Sequence, residues 1–190
     1  MRIRGGNWAA LRPLVDAARA RAAGAEHQPN HGMCRLLVLG EDHRIARHPG
    51  VDPFALCRAL WRTYARGRRE GGSTVAMQLV RVLTGRFERS WRRKASEIVL
   101  AIRLTRYLSP GELPALYLSV GYYGWRMSGF VEACQRLSID PQRCSLRESA
   151  MLVARLKYPE PRVCSARRRS LIVKRSEYLM GRLKNHGWHS

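Results

Sequence analysis

The feature that most constrains this chain is its helix punctuation. Ser109-Pro110-Gly111-Glu112 and Ser145-Leu146-Arg147-Glu148 each set a Ser three residues ahead of a Glu at the head of an apolar segment, the reciprocal capping box that starts a helix. Asp52-Pro53 supplies an N-cap with Pro at the first helical position, and Gly67 and Gly85 stop the helices before them. Between these signals apolar residues recur at helical spacing. No alternating strand pattern, repeat or low-complexity tract appears, so the expected fold class is all-α (mainly helical).

The periodicity predicts a helix over 7–26, with Trp8, Leu11, Val15, Ala18 and Ala22 on one face. The next runs from Pro53 to about Arg66, with Phe54, Leu56, Leu60, Trp61 and Tyr64 as core candidates. Ser73 is the expected cap of a helix from Thr74 to Thr84, and a longer helix spans about 88–108 with Trp91, Ile98, Leu100, Ala101, Ile102 and Leu104 available for burial. Further helices are expected after Ser109, over Phe130–Leu137, after Ser145, and from Ser165 to about Lys184 with Leu171, Ile172, Tyr178, Leu179 and Leu183 inward. Residues 34–39 form a short apolar run that reads equally as a strand or a buried helical turn. Gly121–Trp125 is an expected aromatic, glycine-punctuated loop, and Gly67–Gly72 an expected mobile connector. The chain divides into an N-terminal helix and linker (1–32), a main domain (33–162) and a C-terminal basic helix (163–190).

Charge narrows the partners. Among 190 residues, 35 Lys and Arg face 14 Asp and Glu, a net charge of +21. Such a field favours an anionic partner: nucleic acid, an anionic membrane surface or a phosphorylated substrate. Most of the cations are Arg, which grips phosphate bidentately. The bland alternative is a solvated basic surface. The five cysteines are odd in number, form no Cys-x-x-Cys and have no His at metal-ligand spacing, so buried free thiols are expected. No apolar run approaches the roughly 20 residues a span needs, and the Arg-rich beginning has no signal-like apolar stretch, so a membrane substrate would be reached from the surface.

Against this basic background, three clusters carry chemistry. Glu41-Asp42-His43-Arg44-Ile45-Ala46-Arg47-His48-Pro49-Gly50 places a carboxylate pair where an apolar run gives way to a loop. Gly71-Gly72-Ser73-Thr74 precedes a helix carrying Gln78 and Arg81, a candidate anion site on free backbone N–H groups or an ordinary N-cap. Arg93, Lys94 and Glu97 share one helix face at i,i+4 and i,i+3 spacing, which by itself is an ordinary surface ion pair.

In this order the clusters resemble the peptidoglycan glycosyltransferase domain of bifunctional penicillin-binding proteins and monofunctional transglycosylases. Glu41, Asp42, His48 and Gly50 match that family's Glu-Asp-x-x-Phe-x-x-His-x-Gly motif, with Ile45 at the Phe. Gly71, Gly72, Ser73, Thr74, Gln78 and Leu79 match its Gly-Gly-Ser-Thr-Ile-Thr-Gln-Gln-Leu motif, with Met77 at the first Gln. Arg93, Lys94 and Glu97 complete its Arg-Lys-x-x-Glu motif. Tyr117, Leu118, Tyr123 and Gly124 keep part of a fourth, with Ser119 at an Asn position.

The resemblance implies a lysozyme-like lobe with a small mobile jaw subdomain. The implied activity is polymerisation of lipid II into glycan strands with inversion and release of undecaprenyl pyrophosphate. By the same analogy Glu41 is the base and Glu97 the second catalytic acid. Asp42, Ser73, Thr74, Gln78, Arg81, Arg93 and Lys94 would contact substrate. No cofactor is required, a divalent cation (Mg2+ or Mn2+) being an optional participant. The implied partners are lipid II, the growing glycan chain, an anionic membrane surface and other cell-wall synthesis proteins. The implied place is the periplasmic face of a bacterial inner membrane.

Two rivals remain from the residues. A lytic, lysozyme-type enzyme would use Glu41 as general acid but leaves the Gly-Gly-Ser-Thr and Arg-Lys elements unexplained. A basic nucleic-acid-binding helical protein explains the charge, yet a carboxylate pair would repel a phosphate backbone, so no nucleic acid is expected as partner.

Overall fold

The structure, a computed structural model, describes residues 7–66, 72–109 and 111–186, without the side chains of Leu60, Thr63, Tyr64 and Arg66. The expectations for Leu60, Tyr64, Gly67–Gly71 and Pro110 therefore lie outside the described residues.

Helices dominate, as the punctuation predicts: α1 (Trp8–Ala23), α2 (His31–Glu41), α3 (Pro53–Arg66), α4 (Val75–Thr84), α5 (Trp91–Tyr107), α6 (Glu112–Val120), α7 (Phe130–Leu137), α8 (Leu146–Lys157) and α9 (Ala166–Asn185). Both capping boxes form. The Ser145 hydroxyl accepts from the Glu148 N–H while Glu148 Oε2 accepts from the Ser145 N–H, and Ser109 and Glu112 exchange the same pair. The 34–39 run is helical, because the Asn30 side chain caps α2 through the Met33 N–H at 2.9 Å and Met33, Leu36 and Leu37 form its buried stripe. One element is not foreseen: Gly121–Trp125 is not simply a loop, and β1 (Tyr122–Gly124) pairs antiparallel with β2 (Met127–Ser128) in a small hairpin.

The chain separates into two compact units, each discontinuous in sequence: 1–17 with 41–113, and 18–40 with 114–190. In the first, α4 packs on α5. α4 buries Val75, Ala76, Met77, Leu79 and Val80, and each large side chain fully removed from water contributes about 1.5–3 kcal/mol. The start of α1 docks where Trp8 meets the Tyr107 ring edge-on at 5.4 Å, with the Tyr107 hydroxyl donating to Asp16 at 2.7 Å.

Three expected core residues of this unit are on the surface. Phe54, Trp61 and Trp91 are 67%, 58% and 74% exposed. Gly72 passes α3 at small residues: a Cβ there would lie 2.9 Å from the Ala59 Cβ and 3.1 Å from the Ala55 carbonyl oxygen. Phe54 and Trp61 lie on a different side of the helix from Ala55 and Ala59 and face outward, Phe54 under the Arg44 guanidinium at 4.7 Å. Trp91 opens α5, ahead of the turns that pack, the first buried residue of α5 being Glu97.

In the second unit α8 packs on α9, which buries Ile172, Leu179 and Leu183, while Tyr178 is half exposed beneath Arg175. Gly40 lets α2 approach α9: a Cβ there would sit 2.3 Å from a Leu179 methyl carbon. The hairpin is latched to the chain beyond α8. Glu160 exchanges backbone hydrogen bonds with Tyr123 and Trp125 at 2.9 and 2.8 Å, and its carboxylate takes the Arg155 guanidinium at 2.7–2.8 Å. Gly124 is required at this crossing, since its φ is 142° and a Cβ would stand 2.2 Å from the Glu160 carbonyl oxygen. The fourth motif serves this packing: Tyr123 is fully buried with its hydroxyl donating to the Leu118 carbonyl, and Ser119 bonds back to Ala115.

Candidate active site

The site is built within the first unit, on the N-terminal half of α4. Glu41 ends α2 and Asp42 begins the loop after it, so their side chains diverge. Asp42 is buried, with Oδ1 2.7 Å from His48 Nε2 and Oδ2 accepting the Val75 N–H at 3.1 Å. It is therefore the anion at the N-terminus of α4, stabilised by the first helical N–H and the positive end of the helix dipole. His48 is tied down equally, its Nδ1 buried without a partner among the described residues.

A second staple lies beside the first. The Thr74 hydroxyl donates to the Gly50 carbonyl at 2.6 Å and accepts from the Met77 N–H, so Thr74 rather than Ser73 caps α4. The expected cap moves by one residue because Gly50, 24 positions away in sequence, supplies an acceptor that holds Thr74. Gly50 has a φ of 92° and passes so close to α5 that a Cβ would lie 2.5 Å from the Ala101 carbonyl oxygen. Residues 41–50 thus clamp the head of α4, and the N–H groups of Val75 and Met77 are spent inside the protein. A free backbone anion site is not what these glycines create at those two groups. Gly71 lies outside the described residues.

Freed from capping, Ser73 turns toward the cations. Its hydroxyl accepts from Lys94 Nζ at 2.9 Å and from Arg81 Nη2 at 3.4 Å. Glu97 is 3% exposed and receives Arg81 through Nε at 2.9 Å and Nη2 at 3.2 Å, one on each carboxylate oxygen, and Arg93 through Nη1. Arg81, Arg93 and Lys94, from two packed helices, converge around one buried carboxylate. Burial lowers the Lys94 ammonium pKa below its ordinary 10.5, with Arg81 and Arg93 pushing the same way and Glu97 opposing them.

Glu41 is half-buried and accepts from the Gln78 side-chain amide at 3.1 Å. Gln78 and Arg81 are three apart on α4, so one helix face presents a donor to Glu41 and, a turn later, a fork to Glu97. Neither this link nor the Ser73–Lys94 bond has a signal in the sequence, because each joins residues 21 or more positions apart. Met77, at the family's Gln position, is fully buried, so the polar partner on this turn is Gln78. Among the described residues no three His, Cys, Asp or Glu side chains are placed to hold a metal ion.

Comparison with known proteins agrees with the motifs. A family profile described as Transglycosylase matches residues 12–184. The chain is 37% identical over 125 residues to penicillin-binding protein 1A of Pseudomonas aeruginosa, covering 65% of this chain and 15% of that protein. It is 36% identical over 134 residues to penicillin-binding protein 1A of Aquifex aeolicus, covering 69% of this chain and 18% of that one. It is 34% identical over 127 residues to the biosynthetic peptidoglycan transglycosylase of Alcanivorax borkumensis, covering 66% of this chain and 52% of the relative. The chain thus spans about half of the last protein and less than a fifth of the two penicillin-binding proteins. With a family match across nearly its whole length, the chain belongs to the transglycosylase family.

Proposed function

We propose that this chain is a peptidoglycan glycosyltransferase that polymerises lipid II, extending a glycan strand and releasing undecaprenyl pyrophosphate. Glu41 accepts the proton of the sugar 4-hydroxyl of one lipid II. The resulting oxygen attacks the anomeric carbon of the growing chain from the face opposite the pyrophosphate. The bond from that carbon to the phosphate oxygen breaks, the pyrophosphate departs with the electron pair, and the configuration inverts. Arg81, Arg93 and Lys94 take up the charge that develops on the leaving group, with Ser73 as a hydroxyl donor beside them.

The observation that carries this reading is the division of labour on α4, where Gln78 holds Glu41 and Arg81 holds Glu97. Glu97, sequestered by two guanidiniums, fits the role of organising the cations better than that of proton donor. Asp42 and Thr74, buried with their polar atoms in the clamp, are read as positioning residues. A divalent cation at the pyrophosphate would draw its ligands mainly from phosphate oxygens and water rather than from a protein cage. No helix among the described residues is long and apolar enough to cross a membrane, and the +21 charge suits attachment to the anionic lipid of a bacterial inner membrane at its periplasmic face.

The test is incubation of the purified protein with labelled lipid II and separation of products on a gel. A ladder of glycan polymer is expected. No polymer, together with release of short fragments from intact cell wall, would replace the reading with a lytic enzyme.

A further inference from the structure

The second unit carries a cluster that the proposed reaction does not use. Trp125, at the tip of the hairpin, lies within 4.6 Å of the Arg126 guanidinium, 4.7 Å of Arg136 and 5.5 Å of Arg162, measured to the ring centroid. The three arginines come from three places in the chain: the hairpin turn, α7, and the segment between α8 and α9. All three are exposed, and among the described residues none of their guanidiniums makes a hydrogen bond or ion pair. No two of the guanidiniums can be further apart than their two distances to the ring taken together, which is about one Debye length at 0.1 M salt. Their mutual repulsion is therefore only partly screened. The indole offsets part of it, since its negative face attracts cations, but an aromatic ring carries no net charge.

The backbone adds a second observation. Arg126 has a φ of 56°, left-handed, at the turn position where glycine or asparagine is usual. A strained residue at such a place points to a role for its side chain rather than for its backbone.

We propose that Trp125, Arg126, Arg136 and Arg162 form a binding site for a phosphate group. Guanidinium forks pair bidentately with phosphate oxygens, and three of them beside one ring suit a tetrahedral phosphate, monoester or diester, whose oxygens point in different directions, better than a planar carboxylate. The indole serves as the platform that keeps the three guanidiniums close together. The phosphate belongs either to a soluble molecule or to a lipid headgroup, and the experiment separates these sources.

Indole 15N–1H resonances of the full chain are recorded during titration with inorganic phosphate against sodium chloride at matched ionic strength, with Trp125→Phe assigning the Trp125 signal. A saturable shift of that signal with phosphate, not reproduced by chloride, is expected. Arg126→Ala/Arg136→Ala/Arg162→Ala weakens it by at least about tenfold, the value of one hydrogen bond to a charged group. Arg126→Gly, which removes the left-handed strain, raises the melting temperature while weakening the phosphate shift, so a folding defect cannot imitate the result. Vesicles of phosphatidylcholine with and without phosphatidylglycerol identify the source. A Trp125 shift and arginine-dependent binding only with phosphatidylglycerol assign the site to lipid headgroups, and a phosphate response with arginine-independent vesicle binding assigns it to soluble phosphates. A Trp125 signal that follows ionic strength alone and ignores both vesicles overturns the proposal. So does equal phosphate affinity in the Arg126→Lys/Arg136→Lys/Arg162→Lys variant, which would leave only net charge.

Discussion

The Gln78 side-chain amide donates to the Glu41 carboxylate across 3.1 Å, tying the proposed base to α4. Glu41→Gln keeps an acceptor for that amide while removing the basic oxygen. The variant is expected to melt like the parent and to lose about 10²–10⁴-fold in polymerisation rate, the range for removing a general base. Thermal melting by circular dichroism with a lipid II gel assay checks both halves, and parent-like polymer would remove Glu41 as the base.

Glu97→Gln tests the buried acid. The exchange leaves Arg81 and Arg93 facing a neutral amide. Breaking a buried pair from one side costs about 3–5 kcal/mol. Arg81 and Arg93 keep 27% and 13% of their side-chain surface exposed and can turn toward water, so the lower end is expected. About 3 kcal/mol lowers the melting temperature of a chain of this size by about 6–12 °C. Activity should fall with it, and a full loss of activity at an unchanged melting temperature would instead give Glu97 a direct chemical role.

The Lys94 ammonium predicts a pH dependence. Its folded-state pKa lies below the ordinary 10.5, so folded Lys94 loses its proton at a lower pH than unfolded Lys94 does. The unfolded chain therefore binds more protons in the window between the two values, and stability rises with pH across it. The benefit is complete above the unfolded value and is lost as pH falls through the folded one. Polymerisation should run the opposite way, failing on the alkaline side as Lys94 loses its charge. Lys94→Arg, which stays charged, is expected to move the alkaline limb of kcat/KM upward, and an unmoved limb would detach Lys94 from the charge stabilisation.

Asp42→Ala separates positioning from contact. It removes the anion from the head of α4 and leaves the buried His48 without its partner, at an expected cost of about 1–3 kcal/mol. Amide exchange at Val75 should speed up. Asp42→Ala with His48→Ala should cost less than the two single changes added, because neither then strands the other. Additive costs would show that the pair does not act as a unit.

Much of the architecture is legible locally. Ser145 with Glu148, Asp52 with Pro53, and Gly85 each set a helix end through bonds that reach no further than a few residues, so the sequence displays both partners at once. The motif order likewise displays which acids and cations belong together. Periodicity says that a helix has an apolar face, but not whether another element comes to cover it. On α3 the segment at Gly72 lies against Ala55 and Ala59, while Phe54 and Trp61 stay exposed.

By itself the sequence determined the helices, the family and the residues from which a site could be made. The tertiary structure decided their work. Thr74 became the cap because the Gly50 carbonyl arrives from elsewhere in the chain, and Ser73 was thereby released to Lys94 and Arg81. Asp42 was drawn into the head of α4 while its neighbour Glu41 stayed half open beside Gln78. The reason is geometric: adjacent side chains at a helix end point in different directions, and only the packed chain determines which of them meets a buried donor and which stays half open.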